Sequence, residues 1–404
     1  MKPRMPKGQS IRSFAHANNR VRRRRGRPVL SGFLVLCVFA LVLSMLIGGV
    51  PGGSARSAPG RQVVNAASVT YQSVSSIGAL PILGAEASLA RADGPAQGTG
   101  PVRVANTSAS RPLTATGASM VYDAKDGYVV LFGGYTVNGY SNATWIFENG
   151  VWTQLFPKTS PSARYFASMA YDARDGYVVL YGGDNPSVQV YGDTWMFSNG
   201  NWTQLHPKNP PSPRYMASMS YDVADGYVVL FGGGSGTGTG FSGTWKFEGG
   251  SWTQLTPTHS PSWRYDASMT YDSADSYVLL FGGYGSSGYM GGTWTFSKGN
   301  WTQLVPTLSP SAREGAGIAN DPKDGFVVLY GGRGAAGYSS GTWTFSGGNW
   351  TQLHPVPSPS ARADAGMTYN AKDGNVMLYG GDGSSGIMYT GGTWRFIGTA
   401  WSRL

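Results

Sequence analysis

Cysteine is almost absent from this 404-residue chain, and the single copy, Cys37, lies inside an apolar run. Disulfides, thiolate metal sites and cysteine nucleophiles are therefore excluded from everything after that run. Histidine is scarce too, with only His16, His206, His259 and His354. His206 and His354 occupy the same place in a repeated segment, so they are equivalent rather than convergent. No metal centre is expected. Acidic residues are missing from 1–28, which hold ten Lys or Arg; the remainder carries 31 − 10 = 21 basic and 21 acidic groups. The net charge of +10 thus belongs to the N-terminal block alone, and a nucleic-acid-binding surface elsewhere is not expected.

Directly after that block comes Val29–Val50, 22 residues without a charge. At ~1.5 Å per residue such a run crosses a bilayer as one helix. Arginines on its N-terminal side place residues 1–28 in the cytoplasm and the rest of the chain outside. The competing reading is a signal peptide cleaved near Gly53-Ser-Ala55, which would release a secreted protein. The proportions favour a transmembrane anchor or uncleaved signal at 29–50. Residues 51–111 are rich in Gly, Ala, Ser and Pro and read as a low-complexity stalk. Within it, 62–74 could add a strand.

From 112 to 404 the chain repeats itself. Tyr177-Val-Val-Leu-Tyr-Gly-Gly183 has five further copies, whose second glycines are Gly134, Gly233, Gly283, Gly332 and Gly381. With Gly183 these step by 49 or 50 residues, the mark of a solenoid, propeller or array. One unit reads as four antiparallel strands with no helical period. Ala167–Asp172 alternates, an Asp-Gly turn comes next, and Tyr177–Tyr181 is continuously apolar and so buried on both faces. Gly182-Gly183 ends the second strand and opens a variable glycine-rich loop, after which Thr194–Phe197 and Trp202–Leu205 complete the unit. Twelve of the 13 tryptophans fall two per repeat. Trp145, Trp195, Trp245, Trp294, Trp343 and Trp394 stand on third strands, with partners seven residues on. They read as the wedge between neighbouring sheets.

The Gly-Gly pair, the aromatic before the third strand, and Trp-x-aromatic followed by Trp-Thr-x-Leu resemble the kelch motif, in register across 115–157, 164–207, 214–257, 264–306, 313–355 and 362–404. The resemblance implies an all-β, six-bladed β-propeller like the central domain of galactose oxidase, and a role in binding rather than catalysis. An oxidase of that kind would need a copper site with a Cys crosslinked to Tyr, which is missing. The Ser-x-Asp-x-Gly-x-x-Trp box of a sialidase is missing as well. Because the first and sixth repeats each supply all four strands, direct packing of one on the other is expected to close the ring.

Strand alternation puts the variable loops and the Pro-rich connections on one face, where ligands are expected. Arg164, Arg214, Arg264, Arg313 and Arg362 end the connections, with Ala115 in the first repeat, and Tyr165, Tyr215 and Tyr265 come after three of them. Five guanidiniums near an axis could bind an anion or carboxylate; alternatively each ties one blade to the next. Departures from the repeat are further candidates: Arg333, Trp263, and Asp266, Glu314 and Asp364 just after their arginines. An aromatic precedes each third strand (Tyr140, Tyr191, Phe241, Tyr289, Tyr338, Tyr389) and reads as packing. Paired aspartates such as Asp123/Asp126 read as hairpin chemistry rather than a calcium site. Sequons at Asn106, Asn142, Asn201, Asn300 and Asn349 are candidate glycosylation sites.

The expectation is a membrane-tethered, extracytoplasmic binding or adhesion module, without cofactor, whose partner is a surface protein or glycan. An envelope structural or assembly component is the alternative, and a glycan-active enzyme a more distant one.

Overall fold

A computed structural model describes residues 111–384 and 392–404. The basic block, the apolar run 29–50 and nearly all of the stalk lie outside the described residues. Among the described residues no helix is long and apolar enough to cross a membrane.

The described chain is all β, built as antiparallel sheets of four main strands paired in chain order, the fifth of which also takes in the short strand Gly337–Tyr338. Among the described residues six such sheets occur, spanning 119–155, 168–205, 218–255, 268–304, 313–353 and 363–403. In the second, Ser168–Asp172, Tyr177–Tyr181, Thr194–Ser198 and Asn201–Leu205 pair in order. Register is pinned by the Asp-Gly hairpin. Asp172 Oδ1 accepts from Arg174 N at 3.1 Å and Asp175 N at 3.3 Å, while Gly176 takes φ 71°. This aspartate closes its own turn. The one equivalent that differs, Asn370, does the same through Oδ1 to Lys372 N and Asp373 N.

The second strands carry apolar residues on both sides because each sheet is covered on both faces. Val178, Val179, Leu180 and Tyr181 are fully buried, as are Val228 to Phe231. Six apolar clusters each join residues of two adjacent sheets, and one of them joins the first sheet (Val129, Leu131) to the sixth (Met377, Tyr379). The tryptophans share the wedge unequally. Each fourth-strand indole donates Nε1–H to the threonine that opens the third strand of the preceding sheet: Trp202 to Thr144 at 2.9 Å, Trp252 to Thr194 at 3.0 Å, Trp301 to Thr244 at 2.9 Å. Trp350 and Trp401 repeat the bond, and Trp152 makes it to Thr393 of the sixth sheet. The third-strand tryptophans pack on the same side but are less enclosed, Trp245, Trp294 and Trp394 being only half-buried. The indole that carries the seam is therefore the fourth-strand one.

The glycine pairs form a second seam. The second glycine donates its N–H to the carbonyl of the arginine that opens the next repeat, as in Gly183 to Arg214 at 2.9 Å, and Gly381 donates to Ala115 at 2.9 Å. That carbonyl sits where a side chain on the first glycine would be, 2.3–2.6 Å from an ideal Cβ at Gly133, Gly182, Gly232, Gly282, Gly331 and Gly380. Only glycine leaves room for it. In the fifth and sixth sheets the pair does not end the strand: Phe326–Gly334 and Asn375–Asp382 run through it, because their partners Arg313–Asp321 and Ala363–Asn370 are extended from the connection onward.

A candidate binding face around the axis

The connections and variable loops do share one face. Backbone bonds join them: Tyr165 N to Asp184 O at 3.0 Å, Thr116 N to Tyr135 O at 3.0 Å, and Arg264–Tyr265 pairs Tyr284–Gly285. The Asp-Gly and third–fourth turns share the other face, where Asp126 Oδ2 accepts from Asn199 N and Asp225 Oδ2 from Lys298 N.

The five arginines do not form an open anion cradle. Arg164, Arg214, Arg264, Arg313 and Arg362 are at most 5 % exposed. Each donates from Nε to a serine carbonyl two residues back and from a terminal nitrogen to the carbonyl of the first glycine in its own repeat, the latter at 2.7–2.9 Å. Because its own carbonyl accepts from the preceding repeat, each arginine is a staple between neighbours. Arg164 adds an ion pair to Asp193 at 2.6 Å. Burial lowers Arg214, Arg264 and Arg362 to about 10. Arg164 lies 3.9 Å from the Tyr191 ring centre and Arg214 4.1 Å from that of Phe241, so those pre-strand aromatics serve packing.

The tyrosines after the arginines are half-buried on the loop face. Tyr165 packs with Phe166 (4.4 Å between ring centres) and Tyr140 (5.2 Å), and Tyr265 stacks on Tyr284 at 5.6 Å. Tyr215 lies against Gly234. Trp263 covers Gly240 of the preceding variable loop, its ring 2.3 Å from where a Cβ would stand, so it shapes that loop rather than pointing freely outward. Arg333 is exposed, 5.6 Å from the Tyr338 ring centre. Asn142 stands on a loop, while Asn201, Asn300 and Asn349 open fourth strands, Asn300 and Asn349 accepting from Thr258 and Thr307; Asn106 lies outside the described residues.

What does meet at the axis is one residue per repeat, two after the arginine or, in the first repeat, two after Ala115. Gly117, Phe166, Met216, Asp266, Gly315 and Asp364 all take left-handed φ between 53° and 63°. Their backbones bond in sequence: Phe166 N to Gly117 O, Met216 N to Phe166 O, Asp266 N to Met216 O, Gly315 N to Asp266 O, and Gly117 N to Asp364 O. Left-handed geometry at Phe166 and Met216 costs ~1 kcal/mol each and persists because the neighbours hold it. These residues, with the alanines that follow them (Ala118, Ala167, Ala217, Ala267, Ala316 and Ala365), line an axial pocket of about 140 Å³. The opposite end of the axis is apolar, a cavity of about 420 Å³ lined by Met120, Met169, Met219, Met269 and Met367 and the tyrosines near them.

The loop-face pocket is acidic. Asp266 and Asp364 lean together over Gly315, whose ideal Cβ would lie 2.9 Å from Asp266 Oδ2 and 2.3 Å from Asp364 Oδ1. Burial, and then Asp266, raise Asp364 well above the carboxylate range, and Asp266 beside it is pushed by burial to about 6. Burial and the neighbouring Asp266 raise Glu314 to about 7. Asp382, also raised by burial, accepts from Tyr338 Oη at 2.8 Å. Asp382 and Asp184 escaped sequence reasoning although the signal was present. Each directly follows a Gly-Gly pair, the position of Arg333, and superimposing the repeats would have placed Tyr135, Asp184, Gly234, Tyr284, Arg333 and Asp382 together.

A ring of repeated antiparallel sheets with a variable loop face and an axial pocket defines a β-propeller-type binding scaffold. A family model described as the KLHDC2/KLHL20/DRC7 Kelch-repeats domain matches residues 178–381, half of the chain. The chain belongs to the kelch-repeat family. Comparison with individual curated proteins found no match.

Proposed function

We propose that this chain is a six-bladed kelch propeller, 112–404, held outside the cell by an anchor at 29–50 and the stalk 51–111, with 1–28 in the cytoplasm. It acts as an adhesion or recognition module for a surface protein or glycan. Kelch repeats generally mediate protein binding, and their domains are typically non-enzymatic. The observation that carries the reading is the loop face. There the residue after each glycine pair varies (Tyr135, Asp184, Gly234, Tyr284, Arg333, Asp382) around one axial pocket, on an otherwise repetitive scaffold. Variation at equivalent positions of a rigid frame is how such frames acquire specificity. The test is crosslinking of intact cells carrying the full chain with a C-terminal tag. Wild type should capture a surface protein or glycan that the triple variant Tyr284→Ala, Arg333→Ser, Asp184→Ala does not, with the tag cleavable by external protease. Equal capture by both chains, or a protected tag, refutes the proposal.

A further inference from the structure

Of the two readings open for the arginines, an anion site on the loop face and a tie between blades, the placement of charge leaves no anion site there. The guanidiniums are consumed by the seams, whereas Asp266 and Asp364 line the pocket and, among the described residues, form no ion pair. Glu314 and Asp382 stand nearby, partly balanced by Arg333. The pocket itself is two-sided. Phe166, Met216 and the six alanines make an apolar wall, and the two aspartates occupy the other side. Gly117 and Gly315 bring no side chain to the ring, and the space above Gly315 is taken by the carboxyls of Asp364 and Asp266. Beyond this acidity, Asp364 Oδ1 is shut off from solvent without any hydrogen-bond partner, directly beside the space above Gly315. A buried acceptor left unpaired is costly and calls for a donor.

We propose that the axial pocket receives the alkylammonium group of a partner protein, above all a lysine side chain, with the methylenes against Phe166, Met216 and the alanine collar and the ammonium between Asp266 and Asp364. This rests on the loop face being the binding face. An ammonium suits the site because it is compact, carries three donors, and stands on a slender apolar stem; the planar guanidinium fork is broader. Burial and the neighbouring Asp266 favour a protonated Asp364, so entry of the cation expels that carboxyl proton to bulk water. The groups facing the pair are Glu314, Asp382, Tyr165, Tyr265, Tyr338 and, through Glu314 and Asp382, Arg333.

The test uses the full-length protein and Nα-acetyl-lysine methylamide in calorimetric titrations at a pH of about 7.5, above the values to which burial raises Asp266 and Glu314. The probe should bind with heat that depends on the ionisation enthalpy of the buffer, revealing proton release. Acetylation of its Nε should weaken binding at least tenfold, and so should the double variant Asp266→Asn, Asp364→Asn, whose side chains keep the shape of the pocket. Glycine methylamide, with a free α-ammonium and no stem, separates an N-terminus from a side chain: weaker binding supports lysine, tighter binding overturns the side-chain assignment. Binding unaffected by Nε-acetylation or by the double variant overturns the proposal, as does binding of glucosamine in preference to lysine. Should these fail while the rim triple variant still abolishes partner capture, the binding face stands and only the ammonium site falls.

Discussion

Gly232 and Gly226 offer a paired experiment on what holds neighbouring repeats together. Both have nearly the same backbone, φ 73° and φ 75°. A Cβ at Gly226 would meet nothing within 4 Å, whereas at Gly232 it would stand 2.4 Å from the carbonyl oxygen of Arg264 in the next repeat. Alanine at Gly226 therefore suffers only the left-handed penalty, ~1 kcal/mol. Alanine at Gly232 suffers the same penalty and must also push the Arg264 carbonyl away, losing the 2.9 Å bond it accepts from Gly233 N. A buried acceptor deprived of its donor adds ~1–3 kcal/mol. The expected difference between the two variants is thus ~1–3 kcal/mol, which at ~2–4 °C per kcal/mol for a domain of this size separates their melting temperatures by roughly 2–12 °C. Differential scanning calorimetry of both variants beside wild type reads this directly. If Gly226→Ala and Gly232→Ala lower Tm equally, the glycine pairs are turn residues of one repeat and not the seam between two, and the reasoning fails.

Three other outcomes are expected. Trp301→Phe keeps the wedge but removes the indole donation to the 1 %-exposed Thr244; denaturant unfolding should show a loss of ~1–2 kcal/mol. Arg264→Lys should be worse, ~3 kcal/mol, because a buried point charge cannot reach Ser262 O and Gly282 O together as the guanidinium does; full stability with loss of partner binding would instead return Arg264 to the ligand site. Stability should also rise on mild acidification. Burial raises Asp266, Asp123 and Asp222 to about 6 and Glu314 to about 7. A raised folded pKa gives a stabilising contribution that is fully present below the unfolded value and lost as pH rises through about 6–7. After discounting for solvent screening, Tm at a pH of about 5 should exceed that at about 8 by ~5 °C, and the double variant Asp266→Asn, Asp364→Asn should flatten the profile. A Tm that falls on acidification across that range contradicts the burial of these carboxyls.

The repeat was legible in the sequence because each unit uses the same local chemistry. Asp-Gly sets the hairpin, Tyr-Val-Val-Leu-Tyr demands burial on both faces, and Gly-Gly allows positive φ at 182 and 183. Such signals act within a few residues, so strand order, sheet size and the common face of the variable loops follow from them. For Arg164, Arg214, Arg264, Arg313 and Arg362 the sequence offered an anion site and a tie between blades, and it could not choose between them. A guanidinium looks the same in sequence whether it faces solvent or a glycine carbonyl 18 residues on. Nor could Asp266 and Asp364, far apart in the chain, be seen to meet over Gly315, since that meeting requires their two sheets to converge on an axis. Local pattern specified the sheets; the sign of charge at the centre was decided only when the arginines were drawn into the seams and the carboxyls were left over the pocket.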